Sequence, residues 1–120
     1  MTKKNIIVIG GGAAGLMAAG QAALSGANAL ILEKTKRLAH KLAITGKGRC
    51  NITNLAEMHD FIDSFGRSGR FLHQAFSRYF SEDIMAFLSE QGLEIGRERG
   101  GRVFPTSGKA TEVVAIFKQW

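Results

Sequence analysis

The stretch that most constrains this chain is Ile6-Ile-Val-Ile-Gly-Gly-Gly-Ala-Ala-Gly15. An apolar, β-branched run stops at Gly10, and glycines recur at Gly10, Gly12 and Gly15 in the G-x-G-x-x-G spacing. An alanine-rich segment, Ala13 to Ala23, follows and reads as a helix closed by Gly26. Strand, glycine turn and helix in that order are the context in which this spacing signals dinucleotide binding. Gly10 permits the sharp turn, Gly12 lets a pyrophosphate approach the backbone, and Gly15 allows close packing of helix on strand. The first backbone amides of the helix, at Ala13 and Ala14, then face the phosphates.

A second strand is expected over Asn28 to Glu33, placing Glu33 23 residues after Gly10. A carboxylate at the end of that strand accepts hydrogen bonds from ribose hydroxyls. A glycine-rich turn in an unrelated fold would leave Glu33 without a purpose. Lys3 and Lys4 ahead of an apolar run raise the thought of a secretory signal, but glycines interrupt the run where the nucleotide motif requires them. No unbroken stretch approaches the roughly 20 apolar residues of a membrane span. Cys50 is the only cysteine, which excludes an internal disulfide and suits a cytoplasmic setting.

Charge is uneven. Residues 1–56 carry eight Lys or Arg against Glu33 alone, whereas residues 57–120 carry eight against nine acids. The excess sits in Lys34, Lys36, Arg37, Lys41, Lys47 and Arg49. Such a run can be a solvated loop, a nucleic-acid contact or a partner for cofactor phosphates. Residues 34–49 hold no Phe, Tyr or Trp to stack on bases, so the cofactor reading is preferred for a subset and no nucleic-acid partner is expected.

From Lys34 to about Asn54 the pattern reads as a long polar loop, ending in Thr45-Gly-Lys-Gly-Arg-Cys-Asn-Ile-Thr-Asn54. Helices are expected over Glu57–Phe65, over Phe71–Phe80, where Leu72, Phe76 and Phe80 form one stripe, and from Ser81 as N-cap to Gly92. Six of the eight phenylalanines fall between residues 61 and 87, which reads as core rather than flavin stacking. Leu93–Pro105 reads as a hairpin turning at Gly100-Gly101, and Thr111 as the cap of a last helix. His40, His59 and His73 lack metal-ligand spacing, and no metal site is expected.

Three blocks make the sequence resemble the bacterial BaiN-like and aminoacetone-oxidase-like FAD-dependent oxidoreductases, also described as NAD(P)/FAD-dependent oxidoreductases. They are Ile9–Ala19, Lys41–Asn54 and Gly101–Ala110. The first is common to many flavoproteins; the other two are far more specific. The resemblance implies an α/β, Rossmann-like FAD-binding domain of the glutathione-reductase type, of which this chain is the N-terminal part within a longer protein. It divides into a βαβ motif at 1–35, a cofactor loop at 36–56, and helices with a hairpin at 57–120. It implies FAD held by Gly10, Gly12, Ala13, Ala14, Gly15, Glu33 and Lys34. Lys41, Thr45, Gly46, Arg49, Cys50 and Asn51 would pass near the pyrophosphate and the flavin. Ala39-His40 departs from the Gly-Arg that often precedes the lysine in the family.

The expected activity is oxidation or reduction of a small organic substrate, with NAD(P)H or oxygen left open as electron partner. No catalytic residue is assigned. The alternatives are an NAD-dependent dehydrogenase and a basic nucleic-acid-binding module. At Cys50 a small buried residue is preferred to a redox thiol, because a disulfide cycle needs a second cysteine. The face of the last helix carrying Val113, Val114, Ile116 and Phe117 is expected to lack its sheet partner, and this stretch alone is expected to be inactive and to bind FAD poorly.

Overall fold

The computed structural model describes residues 2–120 and divides the chain into two compact units. The first comprises residues up to Cys50 together with Lys109–Trp120; the second is Asn51–Gly108. The last helix therefore groups with the N-terminal motif rather than with the hairpin that precedes it.

In the first unit, β1 (Asn5–Ile9) and β2 (Asn28–Leu32) pair in parallel, with Ile7 opposite Leu30 and Ile9 opposite Leu32. The pairing continues one step beyond the strands, where the Gly10 amide donates to the Leu32 carbonyl at 2.8 Å. Between them runs α1 (Ala13–Leu24), packed on both strands and burying Leu16 and Ala19. Its end follows the expected glycine stop: Gly26 has φ +87°, its amide reaches the Ala23 carbonyl, and the Ala27 amide reaches Ala22.

Side chains alternate across a strand. Ile7, Ile9, Leu30 and Leu32 consequently share the sheet face away from α1, where they are 62%, 86%, 55% and 49% exposed. Parallel strands are ordinarily covered on both faces; here α1 covers one face, and these four side chains leave the other open.

The segment read as one long loop is more ordered than its polarity suggests. It contains α2 (His40–Ile44) followed by a 3-10 turn at Thr45–Gly48. α6 (Ala110–Gln119) packs on α2 and touches α1. Val113, Val114 and Phe117 are buried there: helices, rather than a sheet, cover that face. The cap is also displaced. Lys109 occupies the N-cap and Thr111 already lies inside the helix.

The second unit is built on a three-stranded antiparallel sheet in the order β3 (Thr53–Asn54), β5 (Arg102–Pro105), β4 (Ile95–Glu98). The expected hairpin is present, with Glu98 opposite Arg102 and left-handed Gly100 and Gly101 in the turn. The third strand was read from sequence as loop. The Asn54 side chain donates to the Gly100 carbonyl at 2.8 Å and accepts from the Ala56 amide at 2.8 Å, tying that strand to the hairpin turn.

Around the sheet lie α3 (Met58–Asp63), a 3-10 helix (Gly66–Leu72), α4 (His73–Phe76) and α5 (Ser81–Glu90). The continuous Phe71–Phe80 helix is thus replaced by a 3-10 segment and a single α turn. Gly69 accounts for the close approach of that 3-10 segment to α3, since a methyl group there would strike the Ile62 carbonyl. The phenylalanines form a half-buried aromatic cluster rather than the expected core: Phe61 meets Phe80 at 5.2 Å and Phe76 at 5.4 Å between ring centroids, both edge-on, while Phe65 and Phe71 stay exposed. Phe80, not Ser81, is the N-cap of α5, and its amide donates to the Asp83 carboxylate at 2.7 Å. Ser81 is buried instead, its hydroxyl donating to the Asn54 carbonyl at 2.9 Å.

Candidate functional site

The glycine turn sits where β1 hands over to α1. Gly12 is the N-cap of α1, with no side-chain cap and no acidic residue in the first turn. The opening amides of a helix have no intrahelical acceptors, so those of Ala13, Ala14 and Gly15 remain available to an anion, favoured by the helix dipole. A Cβ built on Gly12 meets nothing within 4 Å, so the space in front of it is open. A Cβ on Gly15 would run into the Gly10 carbonyl and lie 3.4 Å from Val8 Cγ1. The two glycines thus serve different ends: Gly12 keeps a cradle clear, and Gly15 lets the helix close onto the strand.

Glu33 follows β2, and its carboxylate spans two backbone amides. The Gly11 amide donates to Oε2 at 2.7 Å and the Thr35 amide to Oε1 at 2.8 Å. These bonds, Gly11's foremost, hold the carboxyl below the usual carboxylate range. Ile9, Gly10, Ile31, Leu32, Glu33 and Lys34 line an open groove of about 690 Å³ at this end of the two strands. A carboxylate has about four acceptor positions, more than these two amides fill, which leaves capacity for a ribose hydroxyl. The cradle, the free helix amides and the acid together fit the adenosine and pyrophosphate portion of a dinucleotide.

Gly11 was missed in the sequence because it occupies a variable position of the motif. Here it is pinned from both sides: Glu33 takes its amide, and the Ala39 amide donates to its carbonyl at 2.7 Å. A side chain on Gly11 would collide with Leu38 Cδ2. The Gly-Gly-Gly run itself was the available signal. Ala39 is buried with φ +57°, a region that disfavours side chains. Among the described residues the other non-glycine positions with positive φ are Lys47 and Cys50, so all three fall within residues 39–50.

The structure brings Gly10, Glu33 and Lys34 into one groove and sets Gly12, Ala13, Ala14 and Gly15 at its neighbouring turn. Lys41 lies on α2, exposed. Thr45 and Gly46 form the 3-10 turn after it, the Thr45 carbonyl accepting from the Cys50 amide at 3.0 Å and Gly46 accepting from Arg49 at 3.2 Å. Cys50 is fully buried, and burial pushes its thiol up to about 11, so it stays protonated at neutral pH. Asn51 opens the second unit. Among the described residues no group of three or more His, Cys, Asp or Glu is arranged to hold a metal, and no helix is long and apolar enough to cross a membrane.

A parallel βαβ unit with this glycine turn is the start of a Rossmann-type α/β domain. Residues 4–120 match the family model of the HI0933-like protein Rossmann domain, and the chain belongs to that family. It is 34% identical over 113 residues to the 3-dehydro-bile acid delta(4,6)-reductase of Clostridium scindens, covering 92% of this chain and 27% of the relative. It is 32% identical over 112 residues to the ribosomal RNA dihydrouridine synthase of Haemophilus influenzae, covering 93% of this chain and 27% of that protein. The enzyme of the same name from Escherichia coli is 28% identical over 105 residues, covering 87% and 26%. The chain therefore spans about a quarter of the length of the curated relatives it matches.

Glu33→Gln is expected to weaken FAD by about an order of magnitude, the scale for hydrogen bonds to a charged group. It should also change the acid response. The depressed carboxyl contributes stability above the ordinary carboxylate pKa and loses it as pH falls through its folded value. Melting temperatures of wild type and variant should therefore converge on acidification from neutral pH through the carboxylate range. Equal FAD titrations and parallel pH curves would remove Glu33 from the site.

Proposed function

We propose that the full-length protein is a flavin-dependent oxidoreductase that binds FAD at the Gly10–Gly15 turn and reduces a carbon–carbon double bond in its substrate. The observation that carries this reading is the open cradle before Gly12 beside the amide-anchored Glu33 carboxylate. The relatives' names support the reaction class, since a delta(4,6)-reductase and a dihydrouridine synthase both add hydrogen across a double bond.

FAD, when bound, supplies the transferable electron pair; the chain's part is to hold and orient it. The amides of Ala13, Ala14 and Gly15 would receive the pyrophosphate, and Glu33 the adenosine ribose. Lys34, exposed on the groove wall, adds positive charge close by. Lys41 and the Thr45–Asn51 segment are proposed to extend the site towards the flavin. Arg49 suits a phosphate or flavin carbonyl through paired N–H groups. The buried, protonated Cys50 thiol packs there rather than reacting.

For the substrate, a small unsaturated molecule is the first reading. A base in ribosomal RNA is the second, favoured by the two dihydrouridine synthases among the relatives. The test is the purified full-length protein's absorption between roughly 350 and 500 nm, followed by anaerobic bleaching with NADH or NADPH. A yellow protein that bleaches supports the reading. A colourless protein that takes up no added FAD refutes it.

A further inference from the structure

The second unit carries an arrangement that the flavin site does not use. From Ser64 to Ser81 the chain holds Arg67, Arg70, Arg78 and His73 with no Asp or Glu, although residues 57–120 as a whole are slightly acidic. Four phenylalanines of this region are half-buried and Phe65 is exposed, but Phe71 at 88% is the most exposed large apolar residue among those described. Burying it in the local core would have been the ordinary outcome for a ring of that size.

The backbone arranges these residues in register. In a 3-10 helix, side chains three apart eclipse one another. Over Gly66–Leu72, Gly69 is the buried position, pressed against the Ile62 carbonyl of α3. Arg67, Arg70 and then His73 fall on the adjoining row, and Phe71 on the row beyond it. All four are exposed. None of the three arginines has an ion-pair partner among the described residues. Beside the row, Arg70 and His73 line a groove of about 690 Å³ with Met58, His59, Ile62 and Asp63. The basic character fades beyond the row at Tyr79, whose hydroxyl feels Asp83 and Glu90.

We propose that this face, the Arg67–Arg70–His73 row with Phe71 at its side, is a contact surface for single-stranded RNA. A cationic row tracks phosphates, and an exposed ring offers a stacking platform to an unpaired base. The groove beside Arg70 has apolar Met58 and Ile62 in its lining, together with His59 and Asp63, and the apolar pair suits the face of a splayed base. This interleaving of arginine and aromatic residues is what residues 34–49 lack. The proposal rests on the ribosomal-RNA reading of the substrate and is independent of how FAD is held.

The experiment is fluorescence anisotropy of a labelled, uridine-rich single-stranded RNA oligonucleotide titrated with the full-length protein across a salt series. Phe71→Ala is expected to weaken binding about tenfold at every salt concentration, the effect of losing one stacked base. Arg67→Gln combined with Arg70→Gln is expected to lower the slope of log K against log salt by about 1.4, the value for two phosphate contacts to a single strand. Bound flavin and melting temperature are measured on the same samples and should match wild type. RNA binding by wild type with no change in either variant overturns this surface while leaving the RNA reading intact. No RNA binding by wild type overturns both. Binding of the wild type to phosphatidylserine vesicles in place of RNA, lost in the same variants, overturns the RNA assignment in favour of an anionic lipid surface.

Discussion

Gly12→Val is expected to yield a folded full-length protein that carries no flavin. The backbone at Gly12 has φ −81° and ψ −174°, an extended conformation that valine adopts readily. Nothing lies within 4 Å of the new Cβ, so the protein itself does not resist the side chain. Loss of glycine from the N-cap costs about 1 kcal/mol at most. The branched side chain would instead fill the cradle proposed for the pyrophosphate and hold it off the amides of Ala13 and Ala14. Far-ultraviolet circular dichroism should match wild type while the flavin absorbance disappears. Wild-type flavin stoichiometry in this variant would refute the assignment of the turn.

Gly15→Ala should behave in the opposite order, losing the fold first. Its methyl would strike the Gly10 carbonyl, a backbone obstacle that cannot swing away as a side-chain end can. Overpacking of this kind costs about 1–3 kcal/mol, more where the obstacle is backbone. The helix must lift off β1, which also displaces the amides at its start. The expected result is a lower melting temperature together with weaker FAD binding, and added FAD should restore little of either. A melting temperature equal to wild type would mean that α1 and β1 are not as closely packed as described. The two variants form a pair, since one removes a ligand from an intact fold and the other removes the fold that presents the ligand.

The βαβ start was legible because each of its requirements is local. The β-branched run, the glycine spacing, the Gly26 stop and Glu33 after the second strand all survive in the structure. The hairpin was legible for the same reason, through Gly100-Gly101 between two short apolar strands. What escaped was decided by distant partners. Thr53–Asn54 is a strand only because β5 lies alongside it, and two residues carry no periodicity of their own. α2 has an unfavourable entry through left-handed Ala39, and its packing on α6 is not visible in its composition. The Phe71–Phe80 stripe fitted a helix in spacing, yet the tight approach permitted by Gly69 bends the chain through a 3-10 segment. At the site, the glycines of the turn and the acid were readable as a motif. The clasp of Gly11 by Glu33, Leu38 and Ala39 was not, because it joins an unspecified motif position to a segment that looked structureless.

Trp120 gives the first unit an optical reporter. It is the chain's single tryptophan, and its ring lies so close to Gly20 of α1 that no side chain could stand at that glycine. Phe117 flanks it at 6.3 Å between ring centroids. The emission of one indole therefore senses whether α6 is seated on α1, the helix whose other end presents the amides of Ala13 and Ala14. Separation of α6 would transfer that indole from an aromatic and glycine-lined contact into water and shift its emission to longer wavelength. Within these residues, loosening of the helix behind the glycine turn can be followed by colour, without a label and before any chemistry is assayed.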